Sequence, residues 1–571
     1  MKSFAIYQKE MFKRSLWIFL LAFLGILVLL GRLFWIQVLE HEKYKQQAFQ
    51  QHWTHKKIPA RRGDILDRNG VALAMSVPAY SCYCDPKMVK DAAYAAKKLS
   101  SVLAIEEETL LSEILNSKKR FVWLKRYLDK ETGNKIQSFK LAGVQILKES
   151  KRVYPHGRLA CHVLGFTGNE ENGLEGVEGN FQPELSGEDG FQWELKDGRL
   201  AKPKIYAPHA PAKKPINGAN IYLTIDMIMQ SIVEKELQNA VQQYQAKGAC
   251  GVLLDARTAQ VLALASFPDF DPNAFSSFPR ETWRNKAITD AYELGSVMKP
   301  LVVAAALNEK ITTLDTKIFC HHGAYRIIPG RTLHDTHGYG ELTVAEVLIK
   351  SSNIGTTKIG MQMGSQTLCH YLELLGFGKK TGIELPGEST GLLKPASKWT
   401  NFTLTSVPMG HEIGATSLQM AVSYLPIAGD GIYRPPTIIQ KIVYPDGTTL
   451  HRYQSPEIKK LYSLSLVKEM QQVLRSVVQK GTAQKANIKN VAIAGKTGTA
   501  QKLDSSGKYS HEQYISVFVG FAPFDNPRLC ALVMVDEPQG AYYGGTVSAP
   551  PVANILKKCL FYEKNLAFRK E

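Results

Sequence analysis

Apolar residues crowd one block near the start of the chain. They run from Leu16 to Leu30 and continue through Gly31-Arg32-Leu33-Phe34-Trp35-Ile36. A bilayer needs roughly 20 residues to cross, so Ser15 to Ile36 suffices if Arg32 snorkels and Trp35 sits at the interface. Lys2, Lys9, Lys13 and Arg14 precede the block, which places the N-terminus in the cytoplasm and the rest outside it. No small-x-small cleavage site follows, so an uncleaved anchor is expected.

The pattern changes after the anchor. Glu40 to Ala60 is charged, and Arg61 to about Ile205 mixes glycine turns with short apolar runs. A Pro/Lys-rich linker, 209–220 (HAPAKKPINGAN), follows. From Ile221 the periodicity predicts a strand (Ile221–Ile225), a long helix (about Met227–Gln245) and two strands (Gly251–Asp255 and Val261–Ser266). Leu301 to Leu307 is wholly apolar and reads as a buried helix, and Leu342–Lys350 as an amphipathic one. Asn490–Gly495, Tyr514–Gly520 and Cys530–Val535 read as three further strands. The sum is an antiparallel sheet packed by helices, with an all-helical insert around 300–420. No repeats stand out.

Chemistry falls on these elements. Ser296-Val297-Met298-Lys299 enters the apolar helix, with Gly295 permitting a tight turn and Pro300 tolerated near a helix start. Positions i and i+3 share a face, so the amine of Lys299 can reach the hydroxyl of Ser296. Ser351-Ser352-Asn353 closes the next helix, and Lys496-Thr497-Gly498-Thr499 sits on a strand. Ser-x-x-Lys also occurs at Ser465 and Ser505, and Lys-Thr-Gly at Lys380. Those copies fall on a polar helix and on glycine-rich loops, where chance recurrence accounts for them.

An activated serine flanked by two polar walls is the equipment of acyl transfer through a covalent intermediate. In this order, the three motifs resemble those of the penicilloyl-serine transferases, the penicillin-binding proteins and serine β-lactamases. Arg62–Gly70 (RGDILDRNG), Arg152-Val153-Tyr154-Pro155, His162–Phe166 and Gly173–Glu178 resemble boxes of the non-catalytic region of class B penicillin-binding proteins. Phe518–Pro523 and Tyr542–Pro550 resemble the end of their transpeptidase domain, closer to the cell-division (FtsI-type) branch than to the elongation branch. Pro551-Val552-Ala553 departs from the Pro-Val-Phe-like stretch usual in that branch.

The resemblance implies an α+β multidomain chain. It would comprise a cytoplasmic tail (1–14), a transmembrane anchor (15–39), a mixed α/β pedestal or dimerisation-like domain (40–208), the linker (209–220) and a transpeptidase domain (221–571). It implies a peptidoglycan D,D-transpeptidase that attacks D-Ala-D-Ala stem peptides from Ser296, with Lys299 as base, Ser351 relaying a proton and Asn353 holding the donor amide. Lys496, with Thr497, Gly498, Thr499 and Ser352, would bind the substrate, and the backbone N–H groups of Ser296 and Thr499 would form the oxyanion hole. Its partners would be β-lactams, an FtsW-like membrane glycan polymerase, other division proteins and the bilayer. No cofactor is implied. An elongation-type transpeptidase and a catalytically silent division scaffold stay open beside it. A β-lactamase would need a water-activating carboxylate aligned on the acyl bond, and none is recognisable. A membrane β-lactam sensor would need a large signalling part, and only 14 residues precede the anchor.

Composition changes this picture little. The net charge is +18 over 571 residues, but the lysines are scattered and no basic-aromatic module points to nucleic acid. His321-His322 and His334-Asp335-Thr336-His337 lack helical ligand spacing, so no metal is expected. The His334 stretch also resembles a loop that class B enzymes carry just before their Ser-x-Asn helix. The eight cysteines (82, 84, 161, 250, 320, 369, 530 and 559) form no Cys-x-x-Cys array and read mostly as buried thiols, although the compartment would permit disulfides.

Overall fold

A computed structural model describes residues 2–116, 119–196, 203–206, 212–450, 459–503 and 508–570. Two compact units divide the chain: residues 1–60 with 188–217, and residues 61–187 with 218–571.

In the first unit, helix α1 (Lys2–Phe34) runs on through a wide turn at Trp35–Leu39. Together these 38 residues make one helix long and apolar enough to cross a membrane, a single-pass anchor. The helix begins at Lys2, so the expected tail continues it without a break. Strand Trp53–Ile58 pairs antiparallel with Gly190–Lys196, Ile58 lying opposite Gly190. Residues 209–211 of the expected linker lie outside the described residues, while Ile216 bridges Glu188 through two backbone hydrogen bonds of 2.8 and 2.9 Å.

The second unit holds two large sheets among its described residues. One threads Ile65–Leu66, Ala72–Cys84, Val122–Leu128, Val144–Val153, Asn220–Leu223 and Ile439–Val443. Beneath it, Glu178 is fully buried between two buried arginines. Its carboxylate accepts from Arg62 Nε at 2.8 Å and Arg152 Nε at 2.6 Å. Tyr154 Oη donates to it at 3.3 Å, and Arg152 Nη1 reaches Gly63 O at 2.8 Å. A charge can stay buried only when it is paired and hydrogen-bonded in this way.

The other sheet carries the chemistry. Helix α2 (Met227–Tyr244) begins at Asp226, whose carboxylate caps the N–H groups of Ile228 and Met229. Strands β1 (Gly248–Asp255) and β2 (Val261–Phe267) follow. Near the C-terminus come β3 (Ala494–Leu503), β4 (Tyr509–Ala522) and β5 (Leu529–Asp536). The spatial order is β2-β1-β5-β4-β3, antiparallel throughout, with β3 at the edge. Strands β1 and β5 are buried almost end to end, which explains their near-continuous apolar sequence.

Between these strand groups lie α3 (Lys299–Asn308), α4 (Val344–Lys350), α5 (Asn353–Leu374) and α6 (Leu464–Lys480), and α7 (Ala549–Lys570) closes the chain. The expected all-helical insert is corrected here. Two short hairpins interrupt it: Lys317–Phe319 pairs with Glu341–Thr343, and Ala324–Ile328 with Arg331–His334. Pro329 and Gly330, the latter at φ +79°, turn the second hairpin. Strands of three to five residues are too short to impose a visible period. The eight cysteines are all buried and free.

Candidate active site

Ser296 stands on a one-turn 3-10 segment, Gly295–Met298, which runs directly into α3. Gly295 adopts φ +61°, and a Cβ there would lie 2.7 Å from Thr499 O. A Cβ on Gly410, at φ +85°, would lie 2.2 Å from Gly295 O. The serine turn is therefore wedged between β3 and the 407–410 turn, with backbone in contact on both sides. Tyr424 Oη donates to Val297 O at 2.6 Å and fixes it from below.

Helix α3 is apolar all round, and Lys299 is its first residue with no exposure at all. Its Nζ donates to Ser351 O at 2.6 Å, to Asn353 Oδ1 at 2.7 Å and to Ser351 Oγ at 3.3 Å. Burial pulls the ammonium down to about 7, while the carboxylate of Asp335 works the other way. Lys496, on β3, is equally buried and donates to Ser351 Oγ at 3.0 Å and to Thr497 O at 3.1 Å. Burial first, and then the charge of Lys299, hold its amine well below the usual lysine range. One hydroxyl, that of Ser351, thus bridges two buried amines.

Ser351 can do this because it ends α4 in the left-handed region, φ +60°. The turn sends Ser351 and Asn353 to one side and Ser352 to the other. Ser352, expected at the substrate, is corrected to a buried cap. Its hydroxyl donates to Asp335 Oδ2 at 2.6 Å and accepts from Gly355 N at 2.9 Å.

Asp335 is the group that sequence reasoning passed over. Besides the Ser352 hydroxyl, it accepts the backbone N–H groups of Asn353 and of Ile354, the latter at 3.1 Å. An acid 17 residues away from the helix start it caps leaves no local spacing to read. Asp335→Ala should free the start of α5 and loosen both Lys299 acceptors. Acylation of Ser296 should fall about 100-fold, the usual consequence of a misplacement near 1 Å. Stopped-flow acylation on a variant that still unfolds cooperatively reads this out.

A cleft of about 940 Å³ opens over these groups, lined by Ser296, Ser351, Asn353, Thr497 and Thr499. The two lysines sit behind it. Gly498 lies against the serine turn, where a Cβ would come 2.3 Å from Leu294 O. Thr497 Oγ1 shares a 2.7 Å hydrogen bond with Thr482 Oγ1, and Thr499 Oγ1 accepts from Gly544 N at 3.1 Å. Also unforeseen is Glu293, three residues before Ser296. Burial opposes its charge, but His411 Nδ1 (2.8 Å), Glu412 N (2.8 Å) and Tyr509 Oη (2.9 Å) hold its carboxyl below the usual range.

The duplicate motifs are elsewhere. Ser465 lies in the first turn of α6, its hydroxyl 2.9 Å from that of Ser463. Lys380 is exposed on a loop whose Thr381 binds Glu388. Ser505 lies outside the described residues. No group of three or more metal-ligating side chains occurs among the described residues.

Known proteins match this chain in sequence and in fold. Residues 249–557 match the penicillin binding protein transpeptidase domain, and residues 57–223 the penicillin-binding protein dimerisation domain. Peptidoglycan D,D-transpeptidase FtsI of Escherichia coli (strain K12) is 35% identical over 543 residues, covering 93% of this chain and 89% of its own. Probable peptidoglycan D,D-transpeptidase PenA of Neisseria meningitidis is 34% identical over 534 residues, covering 92% and 89%. The crystal structure of penicillin binding protein 3 from Mycobacterium tuberculosis, complexed with aztreonam, superposes with a TM-score of 0.70 at 28% identity, over 89% of this chain and 97% of that one. Both halves of the sequence match, and so does the fold that brings the serine turn to the lysine strand: this chain belongs to the class B penicillin-binding proteins.

Proposed function

We propose that this chain is a membrane-anchored peptidoglycan D,D-transpeptidase that cross-links stem peptides through an acyl-enzyme on Ser296, works at the division septum, and is acylated at the same serine by β-lactams. The observation that carries this reading is the bridging of Lys299 and Lys496 by Ser351 at the floor of the cleft that Ser296 lines.

Ser296 Oγ attacks the carbonyl carbon of the penultimate D-Ala while Lys299, as the neutral amine, takes its proton. The backbone N–H groups of Ser296 and Thr499 receive the oxyanion; one such donor is worth about 2.7–4 kcal/mol. Ser351, fed by both amines, passes a proton to the leaving D-Ala nitrogen as the C–N bond breaks. Asn353 holds the donor amide, and Lys496 with Thr497 and Thr499 faces the terminal carboxylate. An acceptor amine then displaces Ser296 Oγ.

Positive-inside logic puts α1's N-terminus in the cytoplasm and the cleft outside it, with the domain bounds set out above. The likeness to proteins named FtsI supports the septal role and, with it, an FtsW-like glycan polymerase as partner.

Uncross-linked glycan strands bearing pentapeptide stems test the reading. The protein should release D-Ala and form linked dimers, and Ser296→Ala should do neither; product from that variant would refute it. A base must be unprotonated, and Lys299 titrates near 7. Acylation should therefore climb as pH rises through about 7 and fall about tenfold per unit well below it. A single-turnover profile from pH 5.5 to 9 checks this.

A further inference from the structure

A cavity of about 510 Å³ lies in the second unit and shares no lining residue with the serine cleft. Three stretches of chain wall it: residues 161–176, 280–289 and 385–387. Hydrogen bonds tie these stretches together. His162 Nε2 lies 2.8 Å from Thr282 O, Asn180 Nδ2 donates to Glu384 O at 3.2 Å, and Ser389 N donates to Ile288 O at 2.9 Å. Trp283, whose indole N–H donates to Phe275 O at 3.2 Å, packs edge-on against Phe166 with ring centres 5.0 Å apart. The cavity is therefore formed before anything enters it, as ligand sites usually are.

Its polar groups lack partners. Asn285 lines the cavity and is 7% exposed, yet its Nδ2 has no hydrogen-bond partner among the described residues. A buried donor without an acceptor destabilises the fold until something pairs with it. Arg280 stands 5.9 Å from the centre of the Trp283 ring and forms no ion pair or hydrogen bond with a described residue. Arg284 of the same wall is already engaged by Asp290. Trp283, Ile288 and Leu385 supply apolar surface, and Glu175 comes from the first stretch.

We infer that this cavity is a second ligand site, which takes the free C-terminus of a peptide ending in an apolar residue and receives its carboxylate on Arg280 and Asn285. Trp283, Ile288 and Leu385 take the terminal side chain, and Glu175 accepts the terminal amide N–H. The inference is independent of the reaction at Ser296.

The donors and the apolar wall together select this class. One cationic and one neutral donor suit a single carboxylate. A small inorganic anion would give up its hydration to apolar walls that return nothing, and Glu175 would repel a multiply charged phosphate. A water molecule would satisfy Asn285 alone and leave the guanidinium of Arg280 unpaired.

The test uses the full-length protein in detergent micelles and the photoprobe N-acetyl-p-benzoyl-L-phenylalanine, with labelled residues mapped by mass spectrometry. Saturable label should fall on residues 161–176, 280–289 or 385–387. N-acetyl-L-phenylalanine should compete with it about tenfold better than N-acetyl-L-phenylalaninamide, as a hydrogen bond to a charged group allows. That preference should be lost in Arg280→Gln, whose side chain is exposed. Label confined to the serine cleft or to the membrane helix, or no saturable label, overturns the site. Equal competition by acid and amide overturns the carboxylate assignment. A preference that survives in Arg280→Gln overturns the role of that arginine. An unchanged unfolding midpoint reports that the variant has folded.

Discussion

Lys299→Met will leave the protein folded and slow acylation of Ser296 by three to four orders of magnitude. Methionine matches the length of the lysine stem and suits a site with no solvent exposure at the head of an apolar helix. What it removes is the nitrogen. General-base catalysis by a positioned group contributes about 10²–10⁴-fold. Here the same nitrogen also fixes Ser351 and Asn353, so the loss should fall at the top of that range. Burying an ammonium is itself costly, so the thermal midpoint should stay within a few degrees of the parent. Stopped-flow acylation with a chromogenic cephalosporin, alongside thermal unfolding, measures both quantities. A loss below tenfold would remove Lys299 from the base role.

Glu178→Ala will have the largest effect on stability. Two buried guanidiniums, Arg62 and Arg152, converge on this one carboxylate, and Arg152 Nη2 already lacks a partner. Removing the acid strands both charges in a site with almost no exposure. Breaking a buried pair in this way costs about 3–5 kcal/mol. For a domain of this size that lowers the unfolding midpoint by roughly 10 °C. Glu178→Gln keeps an acceptor for one arginine and should fall in between. Differential scanning calorimetry of the three proteins decides the order. Equal midpoints would mean that the arginines find other partners.

The sequence made some of this architecture legible and hid the rest for physical reasons. Ser296 and Lys299 share a helix face by spacing alone, and the apolar run after them could only be a buried helix. The strand around Lys496 was readable from Tyr514–Gly520 and Cys530–Val535, whose apolar continuity demands a central sheet, although β3 itself starts at Ala494, later than the apolar run suggests. Ser352 was misplaced because the left-handed turn at Ser351 reverses the direction of the next side chain, and a residue string does not display φ. Asp335 was hidden by contact order: its three partners are local to one another and remote from it. The His-Asp-Thr-His pattern drew attention to its histidines, while the acid between them does the structural work. Glu293 and His411, 118 residues apart, meet for the same reason.

The central claim is that the hydroxyl of Ser296, lining the cleft behind which two buried amines sit, becomes the acyl carrier. Mass-spectrometric mapping of the adduct formed with labelled penicillin tests it most directly. A single adduct on Ser296, lost in Ser296→Ala while the fold persists, is the predicted result. An adduct on any other residue, or label retained by the alanine variant, would contradict it.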